Sequence, residues 1–414
     1  MKKQRILLLA ALLSLLASPV IHAEKRPEIS TASRHALVYI APKGKWIVQM
    51  EAHDIRFSNT YDNDGNKSAF GSEFSGINLN TQVFPSLALL GPAASLGISS
   101  LSAQVGVQVA QVTMGYGLTE DITIGVISNF GQSKTSVNFS VAGGNIGWNP
   151  LYNPLIPIGP TNYPFAPVGG GAAQAMTATD IKSILSNPAF GYGYKPVQNT
   201  KVSDMGTVLL GALWRFYKGE YGSLVAGLGV RKSFAGENDP DNLLDIPLDD
   251  GSTDVVARLE YYGQIASIFD TRLMVKRTIQ LSDQVTSRVA APGQTLALAA
   301  SKEVLDRNMG DVWEYDVEVG VSYESWRLSA TWHRFLKKAD HYFSGRGQNV
   351  FSLIQNTAQR TDQWRVGVSW SGVDAWLNKE IAMPLIIKLE ILDTPGGHNT
   401  NAVRDYYVVA TSFF

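Results

Sequence analysis

Apolar and polar residues alternate one by one through most of the chain. In 311–324, Trp313, Tyr315, Val317, Val319, Val321 and Tyr323 interleave with Glu314, Asp316, Glu318, Gly320, Ser322 and Glu324. Successive side chains of a strand point to opposite faces, whereas a helix would scatter these two sets around its axis, so the spacing predicts a strand. The pattern resumes directly, with Trp326, Leu328, Ala330 and Trp332 against Arg327, Ser329, Thr331 and His333. It recurs in 206–216, 222–232 and 254–265. Extended along the chain, it predicts about twelve strands: 45–57, 104–117, 121–131, 202–217, 221–234, 254–266, 270–281, 311–324, 326–338, 361–372, 381–392 and 404–414. Each is 11 residues or longer, the length a tilted strand needs to cross hydrocarbon and about twice the usual strand of a soluble domain.

The connections alternate between short (118–120, 218–220, 267–269, Ser325, 373–380) and long (58–103, 132–201, 235–253, 282–310, 339–360, 393–403). Tight turns on one rim, long loops on the other and an even strand number describe an all-β, closed up-and-down transmembrane β-barrel of about twelve antiparallel strands. Its turns are periplasmic and its loops extracellular. In hydrocarbon every backbone amide must be paired, and a sheet achieves this by closing on itself. Trp46, Trp214, Trp313, Trp326, Trp332, Trp364 and Trp370 fall on the apolar phase and are expected to face lipid, several in a girdle at headgroup level.

Residues 1–23 carry the marks of a secretory signal: Lys2, Lys3 and Arg5, an apolar run from Ile6 to Ala17, and Ile21-His22-Ala23 before the cut. Residues 24–44 are read as a short periplasmic segment with no obvious plug, and 45–414 as the barrel, with 58–103 and 132–201 its longest loops. The chain holds no cysteine, which excludes a disulfide scaffold and thiolate metal sites. Its net charge is −1, and about −4 without the leader, which excludes a nucleic-acid binder. No cofactor or metal is expected. The acidic stretch 235–254 lacks the spacing of a twelve-residue calcium loop and reads as solvated surface.

The C-terminus adds a separate signal. Tyr406, Val408, Ala410 and Phe414 share one face of the last strand. This ending resembles that of bacterial outer-membrane barrels, and the resemblance implies recognition by the barrel assembly machinery. Ser412 departs from the usual large residue two places before the end. The run Met114-Gly115-Tyr116-Gly117-Leu118-Thr119-Glu120-Asp121-Ile122-Thr123-Ile124-Gly125-Val126 resembles the strand-turn-strand hairpin of the meta-pathway phenol-degradation family. Those predicted outer-membrane channels are grouped with long-chain fatty-acid and aromatic-hydrocarbon transporters. The resemblance implies an outer-membrane location and passive uptake of small, hydrophobic or aromatic solutes. Outer-membrane lipid and lipopolysaccharide are then the surroundings, and the oligomeric state is left open.

Polar phases of the strands supply candidates for the lumen wall: Glu51, His53, Arg215, Arg231, Arg258, Glu260, Arg272, Lys276, Glu314, Asp316, Glu318, Arg327 and His333. Mixed signs fit either a pore lining that screens a polar solute or a salt-bridged ladder that stiffens the wall. Pairing about Ser325 brings Asp316 and Glu318 within one diagonal of His333 and puts Glu324 near Arg327. Loop 132–201 has eight prolines among apolar residues, with Asp180–Leu185 as one or two helical turns. Loop 83–101 is apolar too. These loops suit a lid, a constriction or capture of a hydrophobic solute. Ser329, Thr331 and Asp316 near His333 are the sole hint of a hydrolase, and no nucleophile elbow accompanies them. A non-conducting structural or surface-interaction barrel is the other reading.

Overall fold

The structure, a computed structural model, describes residues 40–236, 239–244, 246, 248–265 and 268–414. The proposed leader lies outside them. Twelve long strands form one sheet: β1 (Trp46–Phe57), β2 (Ser95–Gly117), β3 (Ile122–Ala142), β4 (Thr200–Lys218), β5 (Gly222–Ser233), β6 (Thr253–Gln264), β7 (Phe269–Gln280), β8 (Val312–Tyr323), β9 (Trp326–Lys337), β10 (Gln359–Ser371), β11 (Leu385–His398) and β12 (Arg404–Phe413). Each pairs antiparallel with its neighbours in sequence. β1 closes the ring, pairing β2 from Trp46↔Tyr116 to Phe57↔Val105 and β12 from Ile47↔Phe413 to Arg56↔Arg404. The result is a closed up-and-down barrel, so its long strands leave no open edge.

The alternation decides which face is which. On β8, Val317, Val319 and Val321 are exposed while Asp316, Glu318 and Gly320 are buried. On β9, Trp326 and Leu328 are exposed while Arg327, Ser329, Thr331 and His333 are buried. The apolar phase therefore faces outward. Trp326 lies opposite Trp370, and Trp332 opposite Trp364, across β9 and β10. Trp214, Trp326 and Trp364 are 55%, 54% and 53% exposed, far above what a water-borne core would tolerate. No helix among the described residues is long and apolar enough to cross a membrane. A closed sheet with an apolar exterior and paired ions inside is the architecture of a bilayer-spanning outer-membrane barrel.

At the short-turn rim, Gly219 donates to the Gly222 carbonyl (2.8 Å) and Ile265 to Phe269 (2.9 Å). Glu324 takes a left-handed φ of 52° to turn β8 into β9. It does not pair with Arg327 as the hairpin spacing implied, because Arg327 turns inward to Asp270 and Glu318. Residues Val373–Leu377 make a short helix in the 373–380 turn.

The chain departs from the expected boundaries in three places. β2 and β3 continue well past the barrel, starting at Ser95 and ending at Ala142, so that Ile98 still pairs Ala142. β11 starts four residues later and runs six residues further than expected, as Leu385–His398, which leaves only 399–403 of the long loop expected at 393–403. The last residues before β1 also lie inside the barrel and not beneath it. Ile40 packs against Leu213, Val225 and Tyr262, and the Ala41 amide donates to Thr123 Oγ1 at 2.8 Å.

The projecting β2–β3 ribbon organises the long loops. Asn78–Asn80 pairs along one of its edges, and the Val137 amide on the other is satisfied by Asn199 Oδ1 at 2.8 Å. A helix, α1 (Ala178–Ser186), begins at Thr177, where a reciprocal capping box with Asp180 satisfies two orphan amides. Trp148 Nε1 also donates to Asp180 (2.8 Å), tying the helix start to the adjoining loop. α1 buries Ile181, Ile184 and Leu185 against Phe84, Leu87, Leu96 and Leu101, which gives the loops a hydrophobic core of their own above the barrel.

Candidate functional site

Inside that crown is an apolar cavity, part of it open to solvent. Residues from four long loops line it: Phe74, Leu79 and Phe84 from 58–103, Ile181 and Leu185 from α1, Leu243 and Leu244 from 235–253, and Leu296 from 282–310. Ser99 and Thr295 are the polar residues of the lining, and neither brings a charge. Such a surface can hold an apolar molecule and gives water little to bond.

A polar staple holds the three outer loops together. Arg288 donates to Asp241 Oδ1 (2.6 Å) and to the Tyr192 carbonyl (2.6 Å), and its guanidinium stacks 4.1 Å over the Tyr194 ring. Lys302 reaches the other Asp241 oxygen at 2.5 Å. Burial works against ionisation of Asp241, yet Lys302 and Arg288 together hold its carboxyl below the usual range. Asp241 lies two residues before Leu243, so the staple also fixes the cavity wall.

The lumen is built differently, from paired ions. Of the predicted wall residues, Glu51 and His53 on β1 form a cluster with Asp405 of β12. His53 Nδ1 lies 2.7 Å from Asp405 Oδ2, Nε2 lies 3.3 Å from Glu51, and the ring stacks on Tyr407 at 4.6 Å. Gln111 donates to Glu51 at 2.8 Å. Arg215 is at the short-turn rim, on Asp121 (2.8 Å). Arg231 is at the other end of the wall, on Asp254 (2.6 Å). Arg258 is 3.6 Å from Glu260, which accepts from Tyr262. Lys276 reaches Glu314 at 2.5 Å. Asp316 takes Arg272 and, at 2.6 Å, His333 directly across the hairpin. Arg327 bridges Asp270 (2.5 Å) and Glu318 (2.7 Å).

These pairs follow from the register. Arg272 faces Glu318 across β7 and β8, Lys276 faces Glu314, and Asp316 faces His333. Glu260, Asp316, Glu318 and Arg327 are all buried, where a charge survives only with a partner. On β6 to β12 the ladder packs the wall. Tyr407, Asp405, Asp270, Lys388, Glu390 and Arg365 belong to this interior and were missed from the sequence. Inward phase was the available signal, and it was read only on strands whose polar face is obvious.

The inner face of β2 to β5 is nearly free of charge. Gly115 pairs Gly125, Gly125 pairs Gly211, and Gly211 pairs Gly229, so four glycines cross four strands in one row. A Cβ on Gly125 would stand 2.6 Å from the Met114 carbonyl, and one on Gly211 2.7 Å from that of Leu228. Only glycine allows strands to crowd so closely on the concave side of a bent wall. Leu209, Gly211, Leu213 and Gly229 retain partial exposure on this inward side, unlike the buried ions opposite.

For a hydrolase, His333 has an acid partner in Asp316, but Ser329 Oγ is spent on the Gly367 carbonyl at 3.5 Å. No group of acidic or histidine side chains with metal-site geometry occurs among the described residues.

No protein-family model matches the chain, and no curated protein matches it. Among solved structures it is similar to the COG4313 outer membrane channel from Pseudomonas putida F1, with 11% identity, a TM-score of 0.52, and coverage of 94% of this chain and 100% of that one. Weaker likenesses include a Pseudomonas aeruginosa FadL homologue (9% identity, TM-score 0.31, 89% of each chain). Another is the TodX deltaS2S3 mutant monoaromatic hydrocarbon channel (11% identity, TM-score 0.34, 90% of this chain and 91% of that one). The first of these is a likeness of fold, and the other two carry no argument. The chain is thus similar in its barrel to a solved outer-membrane channel, while its sites rest on its own residues.

Proposed function

We propose that the protein is an outer-membrane channel for passive uptake of small hydrophobic or aromatic solutes, captured first in the loop crown. The observation that carries this reading is the apolar cavity built from four separate loops at one mouth of a closed barrel. Burial of an apolar solute there is driven by desolvation of apolar surface. The solved protein whose fold the barrel shares is itself an outer-membrane channel.

Uptake of a labelled monoaromatic by cells with and without the gene tests the proposal, together with conductance in a planar bilayer. The expected result is faster uptake with the gene and loss of that gain in Leu185→Asp, which places a charge in the cavity lining. Equal uptake with and without the gene, and no current, would leave a non-conducting structural barrel. The buried, internally neutralised ions of β6 to β12 favour that second reading. An enzyme is not proposed; hydrolysis of a lipid ester by the parent and not by His333→Ala would reverse this.

A further inference from the structure

Arg215, Arg231, Arg258, Arg272 and Arg327 face the lumen, and each has a carboxylate within 4 Å. Arg365 differs. It lies on the inward phase of β10 between outward Trp364 and Val366; its Nε is buried with no hydrogen-bond partner, as are those of Arg258 and Arg272, but unlike them it makes no ion pair. Its lateral neighbours are Thr331 and Leu392, which bring no charge. The acids nearby are already engaged: Asp316 by Arg272 and His333, Glu318 by Arg327, Glu390 by Lys388 at 2.8 Å, and Asp405 by His53. The charge of Asp316 reaches Arg365, but Asp316 already holds Arg272 and His333, so Arg365 is, among the described inward arginines, the one with no carboxylate of its own at ion-pair distance.

The register shows what Arg365 faces across the lumen. The row of paired residues through it runs one way by Thr331, Glu318, Arg272, Tyr262 and Ser223 to Lys218, at the short-turn end of β4. The other way it runs by Leu392, Asp405, Ile55, Val107 and Ser133 to Val202, at the opposite end of β4. Such a stagger is what tilts the strands of a barrel. A level plane through Arg365 cuts β4 midway between these ends, at Leu209 to Gly211. The glycine row and Leu209 thus stand across the lumen from Arg365.

From this juxtaposition we infer that Arg365 is an anion site within the channel, and that the solute it takes is a compact organic carboxylate. The carboxylate meets the guanidinium, and the apolar ring lies on the glycine and leucine strip of β4 and β5. The inference rests on the channel reading above and narrows its substrate class. Arginine suits the task because its planar fork accepts a carboxylate with two parallel hydrogen bonds, which lysine cannot.

Binding of 2-naphthoate and of its neutral analogue 2-naphthylmethanol to the detergent-solubilised protein, followed by fluorescence, tests the assignment. The parent is expected to bind the carboxylate about tenfold more tightly than the alcohol. Arg365→Leu should abolish that preference and leave alcohol binding unchanged, while Arg365→Lys should retain part of it. The heat-modifiable gel mobility of a folded barrel serves as the control, and the lysine variant decides the matter if the leucine variant does not fold. A preference that survives in Arg365→Leu overturns the inference. So does a parent that binds the alcohol but shows no preference, and in that case the channel reading stands. A parent that binds neither ligand overturns both.

Discussion

Arg327 shows how much hangs on single residues inside the wall. It is buried between Asp270 and Glu318, and removing it leaves two carboxylates with little water to replace it. Arg327→Leu is expected to lower the unfolding free energy in urea by roughly 3 kcal/mol, because an abandoned buried charge costs more than the pair contributes. An unchanged urea midpoint would mean the lumen is wet enough there to solvate both acids. Most of this ladder was legible in the sequence as alternating charge on one phase of each strand. Which charges meet was not, because partners such as Arg272 and Asp316 sit on strands more than forty residues apart. Arg365 escaped notice for a related reason: the run around Trp364 and Trp370 declares its lipid face loudly, and its inward residues carry little charge of their own.

At the scale of elements, all twelve barrel strands could be read from alternation, because facing lipid on one side and ions on the other enforces it at every position. The long loops were less legible. The extension of β3 is written in the same code, with Val137, Phe139 and Val141 alternating with Ser136, Asn138 and Ser140. There the apolar phase packs on the loop core instead of lipid, and the short polar residues read equally well as loop. α1 was expected only as one or two turns over Asp180–Leu185; it starts two residues earlier, at Ala178, behind the Thr177–Asp180 capping box, a signal the sequence carried. Thr177→Ala should cost about 1 kcal/mol of local stability. Weaker binding of an uncharged naphthalene dye, with the barrel's gel mobility unchanged, would register that loss, since α1 supplies Ile181 and Leu185 to the cavity.

The acidic loop 235–253 is not plain solvated surface. Leu248 reaches toward Gly131 on β3, so the tip of the loop leans into the barrel mouth. Burial, with Asp250 beside it, pushes the Asp249 carboxyl up to about 6, although Arg231 pulls the other way. A carboxyl whose folded pKa is raised favours the folded loop below its unfolded pKa of 3.8, and that contribution is lost as pH climbs through 6. Asp249→Asn is therefore expected to raise the thermal midpoint at pH 7.5 and leave it unchanged at pH 3.5. Equal shifts at both pH values would place Asp249 in open solvent.

For the whole molecule, one division explains the rest: an apolar exterior, an interior of ions on β6 to β12, a glycine-rich and sparsely charged strip on β2 to β5, and a separate apolar core in the loops above. Each follows from a solvent. Lipid selects the outer phase, burial pairs the inner charges, and water at the mouth drives apolar loops together. The division is tested most directly by tryptophan fluorescence of the folded protein in bilayers with brominated acyl chains. Because Trp46, Trp214, Trp326 and Trp364 face outward, strong quenching is predicted relative to unbrominated lipid. A chain that stays monomeric in detergent-free buffer, with its tryptophan emission indifferent to bromine, would contradict the account.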